Sequence, residues 1–215
     1  MPDILGGRDQ QAGGTWLALH RNGRFATVTN FRDAVPTSGK LRSRGHLITE
    51  FLQSERSSSD YLNEIDADDY AGFNLLVADG NELAYLSNRG GGFRLLSPGI
   101  YGVANATLDS PWAKVERSKA RMSALIVSGR VNETNLLRLL DDRNKASVSE
   151  VEPGRLGFEK AHAMTAPFIV QADYGTRCST VVLRDNRNRL RFTEKRFDAD
   201  GTNSGRSDFT FEVIA

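Results

Sequence analysis

Short apolar runs broken by turn residues, gathered in blocks that flank helical stretches and do not alternate with them one for one, constrain this chain most. Residues 15–20 and 25–30 are apolar and β-branched. They flank Arg21-Asn22-Gly23-Arg24, whose Asn-Gly pair favours a tight hairpin turn. Between residues 73 and 104 the runs FNLLVA, LAYLS, FRLL and IYGVA are separated by Asp79-Gly80, the glycines at 90–92 and Pro98-Gly99, which reads as a strand meander. Strands return at 168–171, 179–183, 190–193 and 209–214, with turns at 185–188 and 198–205.

Helical spacing occupies the intervals. Ser43 can cap a helix carrying Leu47, Ile48, Phe51 and Leu52 on one face, and Ser58 or Ser59 can open a short one carrying Tyr61, Leu62 and Ile65. The acidic residues Asp66, Asp68 and Asp69 then read as a solvated loop, too loosely patterned to hold calcium. Ser110-Pro111 supplies a cap and a first-turn proline for a helix of about five turns, striped by Val115, Met122, Leu125 and Ile126 and ending near Gly129. A further helix spans 133–140, and residues 144–153 read as polar loop. Blocks segregated in this way predict an α+β fold of antiparallel sheets with helices on their outer faces, of which a four-layer αββα sandwich is one solution. A length of 215 residues, 39% of them hydrophobic, favours a single domain over residues 1–215.

Composition narrows the partners. The 28 basic and 27 acidic residues nearly cancel, and no segment interleaves cations with aromatics as a phosphate-tracking surface requires, so nucleic acid is not expected. No stretch approaches the roughly 20 apolar residues that span a bilayer, and the first ten residues lack a leader pattern; a soluble, unprocessed chain is expected. Cys178 is the single cysteine, which excludes an intrachain disulfide and a multi-cysteine metal site and fits a reducing, cytoplasmic setting. His20, His46 and His162 have no ligand spacing, so no metal and no cofactor is expected.

The run Ile4-Leu5-Gly6-Gly7-Arg8-Asp9, followed by Gly13-Gly14-Thr15-Trp16-Leu17, resembles the opening signature of the NRDE, or transport and Golgi organisation protein 2, family. Matching blocks follow in the family's order. They are Thr29-Asn30-Phe31-Arg32, Ser43-Arg44-Gly45, Gly72-Phe73-Asn74-Leu75-Leu76, Gly102-Val103-Ala104-Asn105 with Leu108-Asp109-Ser110-Pro111-Trp112, and Tyr174-Gly175-Thr176-Arg177-Cys178-Ser179-Thr180. The resemblance implies an N-terminal-nucleophile hydrolase-like fold. Family members begin with Met-Cys and carry an Asn-Arg-Asp-Glu block ahead of the opening signature, whereas this sequence starts at the signature, so a shortened N-terminus is expected. In that chemistry the α-amine, of pKa about 8, serves as base for the side chain of the same terminal residue. Exposure of Pro2 would offer an amine without a nucleophile. No catalytic residue is therefore expected as the sequence stands.

More distantly the resemblance reaches penicillin V acylases and bile salt hydrolases, and it implies that Asn30, Asn105 and Arg177 line a ligand pocket, with Trp112 close by. Amide and guanidinium groups suit a wall facing a developing oxyanion or a carboxylate. The same residues also suit strand-ending turns and an ion pair. Arg8 and Asp9 fit a turn held by their own pair better than an anion nest, the paired glycines fit close backbone packing, and Cys178 fits a structural role.

Two functions follow as expectations. One is a non-catalytic family member that binds an amphipathic small molecule of haem, lipid or acyl-CoA type in haem or lipid trafficking. The other is an N-terminal cysteine amidohydrolase acting on linear carbon-nitrogen bonds, with its nucleophile in a missing N-terminal segment. A third possibility is an interaction module completed by β-addition at an open sheet edge.

Overall fold

A computed structural model describes residues 3–32, 41–151 and 157–213. The terminal Met1 and Pro2, the last two residues of the 144–153 loop and Ile214 of the expected final strand lie outside the described residues. The chain forms two units, Met1–Ser110 with Val213–Ala215, and Pro111–Glu212.

In the first unit the Asn-Gly turn joins β2 (Leu17–His20) to β3 (Phe25–Asn30). Gly23 takes φ +89°, the left-handed region this turn requires, and Asn22 Oδ1 accepts from the Arg24 amide at 3.1 Å. With β1 (Ile4–Gly6), β4 (Phe73–Ala78), β5 (Leu83–Ser87) and β6 (Gly92–Leu95) these strands make a six-stranded antiparallel meander in sequence order. Strand β1 was not foreseen, because it is three residues long and its apolar run, Ile4-Leu5, ends at a glycine.

Helix α1 (Arg44–Gln53) buries Leu47, Ile48, Phe51 and Leu52, the face read from the sequence. Its approach to the sheet needs two glycines. A Cβ on Gly14 would stand 2.5 Å from the Gly45 carbonyl carbon. Helix α2 (Ser58–Asn63) opens at Ser58, one of the two starts read from the sequence, with Ser57 as its cap, and Ile65 falls beyond its end. The Ser58 amide donates to Asp79 at 2.7 Å and the Ser59 hydroxyl to Glu82 at 2.6 Å, so the hairpin between β4 and β5 satisfies this helix terminus. These helices pack with Ala18, Ala26, Phe73, Leu75, Val77 and Ala84 of the sheet into one apolar core.

The second unit holds β7 (Cys178–Arg184), β8 (Arg189–Phe197) and β9 (Asn203–Glu212) as a three-stranded antiparallel sheet, with α3 (Ala113–Val127), α4 (Glu133–Leu140) and α5 (Phe158–Ala163). Two antiparallel sheets with helices make this the α+β class expected. Helix α4 falls where the leucine spacing put it, packed on β7 and against α3.

Four local expectations are corrected. IYGVA is not a strand: the Ala104 carbonyl accepts from the Thr29 hydroxyl and the Gly102 carbonyl from the Asp109 amide, each at 2.8 Å. Ser110 does not cap α3; its hydroxyl donates to the Thr107 carbonyl at 2.8 Å, and the helix starts at Ala113 and runs about four turns. Residues 168–171 form no strand, only a bridge between Val170 and Gly175, because Phe168 turns inward edge-on to Phe197 at 4.7 Å. Strand β9 opens six residues earlier than expected, since the Asp198 amide already closes the turn on the Thr202 carbonyl at 2.9 Å. Helix α5 was not foreseen.

Candidate functional site

Strands β3 and β4 pair antiparallel with Thr29 opposite Asn74 and Asn30 opposite Phe73. Asn74 interrupts the apolar run of β4 and is 2% exposed, so its amide must find partners inside the protein. Its Nδ2 donates to Thr29 Oγ1 at 3.1 Å and to the Ala106 carbonyl at 2.9 Å. Its Oδ1 accepts from the Tyr85 hydroxyl at 2.7 Å, which in turn accepts from the Leu108 amide at 3.0 Å. Tyr85 pairs with Leu76 in the β4–β5 register, two residues from Asn74, close enough to reach it along the same face.

Thr29 Oγ1 donates to the Ala104 carbonyl at 2.8 Å. The Asp109 carboxylate accepts from the Gly102 amide at 2.8 Å, while the Asp109 amide donates back to the Gly102 carbonyl at 2.8 Å. Residues 102–109 are thus a loop pinned to the sheet by side chains instead of a strand ladder.

Pinning this loop brings Asn30 and Asn105 together from 75 positions apart. Asn105 Nδ2 donates to the Asn30 carbonyl at 2.9 Å, and the Arg32 amide donates to the Asn105 carbonyl at 2.7 Å. The Asn105 side chain thus spends one donor on backbone, while the Asn30 side chain stands exposed at the strand end. An exposed amide beside a rigid loop can donate to an anionic or carbonyl oxygen of a ligand.

The other two sequence candidates belong to the second unit. Arg177 is exposed and donates to the Asp198 carbonyl at 3.3 Å. Trp112 sits at the N-terminal flank of α3, with Lys114 Nζ 5.4 Å from its ring centre. Cys178 opens β7, in peptide linkage on both sides, so it carries no α-amine.

The remaining sequence candidates take structural roles. Asp9 does hold a turn, but through its carboxylate accepting from the amides of Gln11 at 2.9 Å and Ala12 at 3.2 Å. His20 accepts from the Asn22 amide, and His46 and His162 bond to the carbonyls of Ala12 and Ala146. No three of His, Cys, Asp and Glu gather as a metal site among the described residues. No described helix is long and apolar enough to cross a membrane. A separate cleft of about 630 Å³ beside the C-terminus of α1 is lined by Glu50, Gln53, Ser54, Glu55, Arg56 and Tyr61. Two of its charges are already used, Glu50 by Arg42 at 2.7 Å and Arg56 by Glu64 at 2.8 Å.

The residues of the asparagine network come from blocks far apart in sequence. The Transport and Golgi organisation 2 family model matches residues 1–199, which contain every one of those blocks. This chain belongs to that family. Transport and Golgi organization protein 2 homolog from Bos taurus is 32% identical over 213 residues, spanning 90% of this chain and 76% of the relative. The homologs from Homo sapiens and Mus musculus are each 31% identical, with the same coverage. Within the Transport and Golgi organisation 2 resemblance, sequence reading chose Asn30 and Asn105 but missed Asn74 and Tyr85. The available signal was a lone asparagine in an apolar strand, which demands a buried partner.

Proposed function

We propose that this member of the Transport and Golgi organisation 2 family binds an amphipathic small molecule, of haem, lipid or acyl-CoA type, and serves its trafficking in the cytoplasm. The meeting of Asn30 and Asn105 at the end of β3 carries the reading: a buried network fixes the loop and leaves the Asn30 amide presented outward. The family match runs over residues 1–199, which supports reading residues 1–215 as a single family domain, and Arg177 and Trp112 stay ligand-contact candidates within the second unit on their own. The single cysteine agrees with a reducing compartment. The test is titration of the purified protein with haem, followed by absorbance, and with a long-chain acyl-CoA, followed by calorimetry. Saturable binding weakened about tenfold or more by Asn30→Ala, with Asn105→Ala weaker still through the loosened loop, supports the reading. Equal binding by wild type and both variants removes these residues from the site.

An amidohydrolase acting on linear carbon-nitrogen bonds is the second reading, favoured by the resemblance to N-terminal-nucleophile enzymes. Its nucleophile must share one residue with a free α-amine, which the position of Cys178 inside β7 does not allow. The intact mass of the protein from its source decides it: a larger mass with a terminal cysteine restores this reading, and a mass of 23.7 kDa removes it.

A further inference from the structure

Charge is divided unevenly along this chain. Unit Pro111–Glu212 carries 18 Lys and Arg against 14 Asp and Glu, net +4, whereas the other unit carries 10 against 13. Residues 114–138 are one of the basic stretches of that unit: Lys114, Arg117, Lys119, Arg121, Arg130 and Arg138 meet only Glu116 and Glu133. This segment is α3, its turn and most of α4. Arg117 and Arg121 also pair with Asp142, at 2.7 and 3.0 Å, yet the Arg121 side chain remains 47% exposed.

The corner between these helices is apolar where a soluble surface should be polar. Ile126 is 51% exposed, Val127 86% and Val131 41%. Alone, an exposed valine needs no explanation; three β-branched side chains within six residues, set in a basic stretch, do. The corner is also rigid. Gly129 takes φ +64°, its amide donates to the Ile126 carbonyl at 3.0 Å, and the Arg130 amide donates to the Leu125 carbonyl at 2.9 Å. Those two bonds are a Schellman closure, which fixes the turn that presents Val127 and Val131.

Branched apolar side chains at a turn flanked in sequence by Arg121, Arg130 and Arg138 suit the boundary between headgroups and acyl chains of an anionic bilayer. The apolar groups gain by leaving water, and the cations gain from the negative surface potential. A protein partner would more often be matched by a flatter patch with aromatic anchors, which this corner lacks. We infer that the α3–α4 corner docks the protein reversibly on an anionic membrane surface. This surface uses none of the asparagine residues of the first unit, so it stands whether or not that site binds a ligand.

The experiment is co-sedimentation of the full chain with phosphatidylcholine vesicles, with and without phosphatidylserine, at low and high salt. Binding is expected only to the anionic vesicles and falls with salt. Ile126→Ser with Val127→Ser lowers partitioning about tenfold while keeping the salt dependence. Arg130→Gln with Arg138→Gln lowers it about fivefold per arginine and flattens the salt dependence. All four positions are exposed, so circular dichroism of the variants should match wild type. Absence of binding to anionic vesicles overturns the inference. So does binding that both double variants leave unchanged, or a concentration-dependent dimer that the Ile126 and Val127 changes dissolve, since the corner would then join two copies of the chain.

Discussion

The two units hold themselves together by different means. In the first, α1 lays four fully buried apolar side chains on a six-stranded sheet, and the core is almost wholly hydrocarbon. In the second, α3 buries Val115 alone of its fifteen residues and is tied down by charge: Asp142, 4% exposed, accepts from Arg117 and Arg121, and its own backbone carbonyl receives the Phe168 amide at 2.9 Å. A wide sheet with helices on it can bury enough apolar area to need little else. A three-stranded sheet with short helices has less to bury and uses directed polar contacts to fix its geometry.

The largest test of that contrast lies in the first unit. Phe51 is fully buried, 5.1 Å from the Tyr61 ring and under the Arg24 guanidinium at 4.0 Å. Phe51→Ala should cost about 3–5 kcal/mol in urea unfolding, and it strips Arg24 of its stacking surface as well. A cost under about 1 kcal/mol would mean that the apolar core is not what holds this unit.

Asp142→Ala is the counterpart, at about 2–3 kcal/mol, the buried-pair figure reduced because both arginines keep contact with water. Burial pushes the Asp142 carboxyl up, and the Asn144 amide with Arg117 outweighs it, holding the carboxyl below the ordinary aspartate value. A folded-state pKa below the unfolded one contributes stability that is full above about pH 4 and is lost as pH falls through the folded value. Wild type should therefore weaken on acidification in that range. Asp142→Asn should lose part of that pH dependence, read as a flatter midpoint against pH.

Asn74→Ala probes a place where the first unit breaks its own rule. It leaves the Tyr85 hydroxyl without its acceptor and the Ala106 carbonyl without its donor, worth about 2 kcal/mol. Hydrogen exchange should quicken across residues 102–109 while the core of the meander stays protected, because the network pins a loop and not the sheet.

How much of this was legible in the sequence depends on which force does the holding. The burial pattern of α1 and the hairpin at Asn22-Gly23 were read from spacing and turn chemistry, since both are local. The family blocks were visible, and so were Asn30 and Asn105 as candidates. Residues 100–104 were read as a strand because IYGVA has strand composition, while acceptors that decide the path of this loop, the carbonyls of Ala104 and Ala106, are claimed by Thr29 and Asn74 from far away. Phe168 misled in the same way: its run suggests a strand, and its contact with Phe197 makes it a core anchor. Long-range polar and aromatic contacts leave no periodicity to read.

The smallest effect separates the units as well as the largest does. Ser43 and Asn132 both stand at helix starts, and both are residue types suited to capping. At α1 the Ser43 side chain makes no capping bond, and the helix is held by its four buried residues. At α4 the Asn132 side chain accepts from the Asn135 amide at 3.0 Å, and Leu136 alone is fully buried. Asn132→Ala should therefore cost about 1 kcal/mol, and Ser43→Ala less than about 0.5 kcal/mol. Paired urea titrations of the two variants would read the difference directly. Equal costs would mean that packing does not replace a cap in the first unit, and the contrast between hydrocarbon and directed bonding would then fail at its most local level.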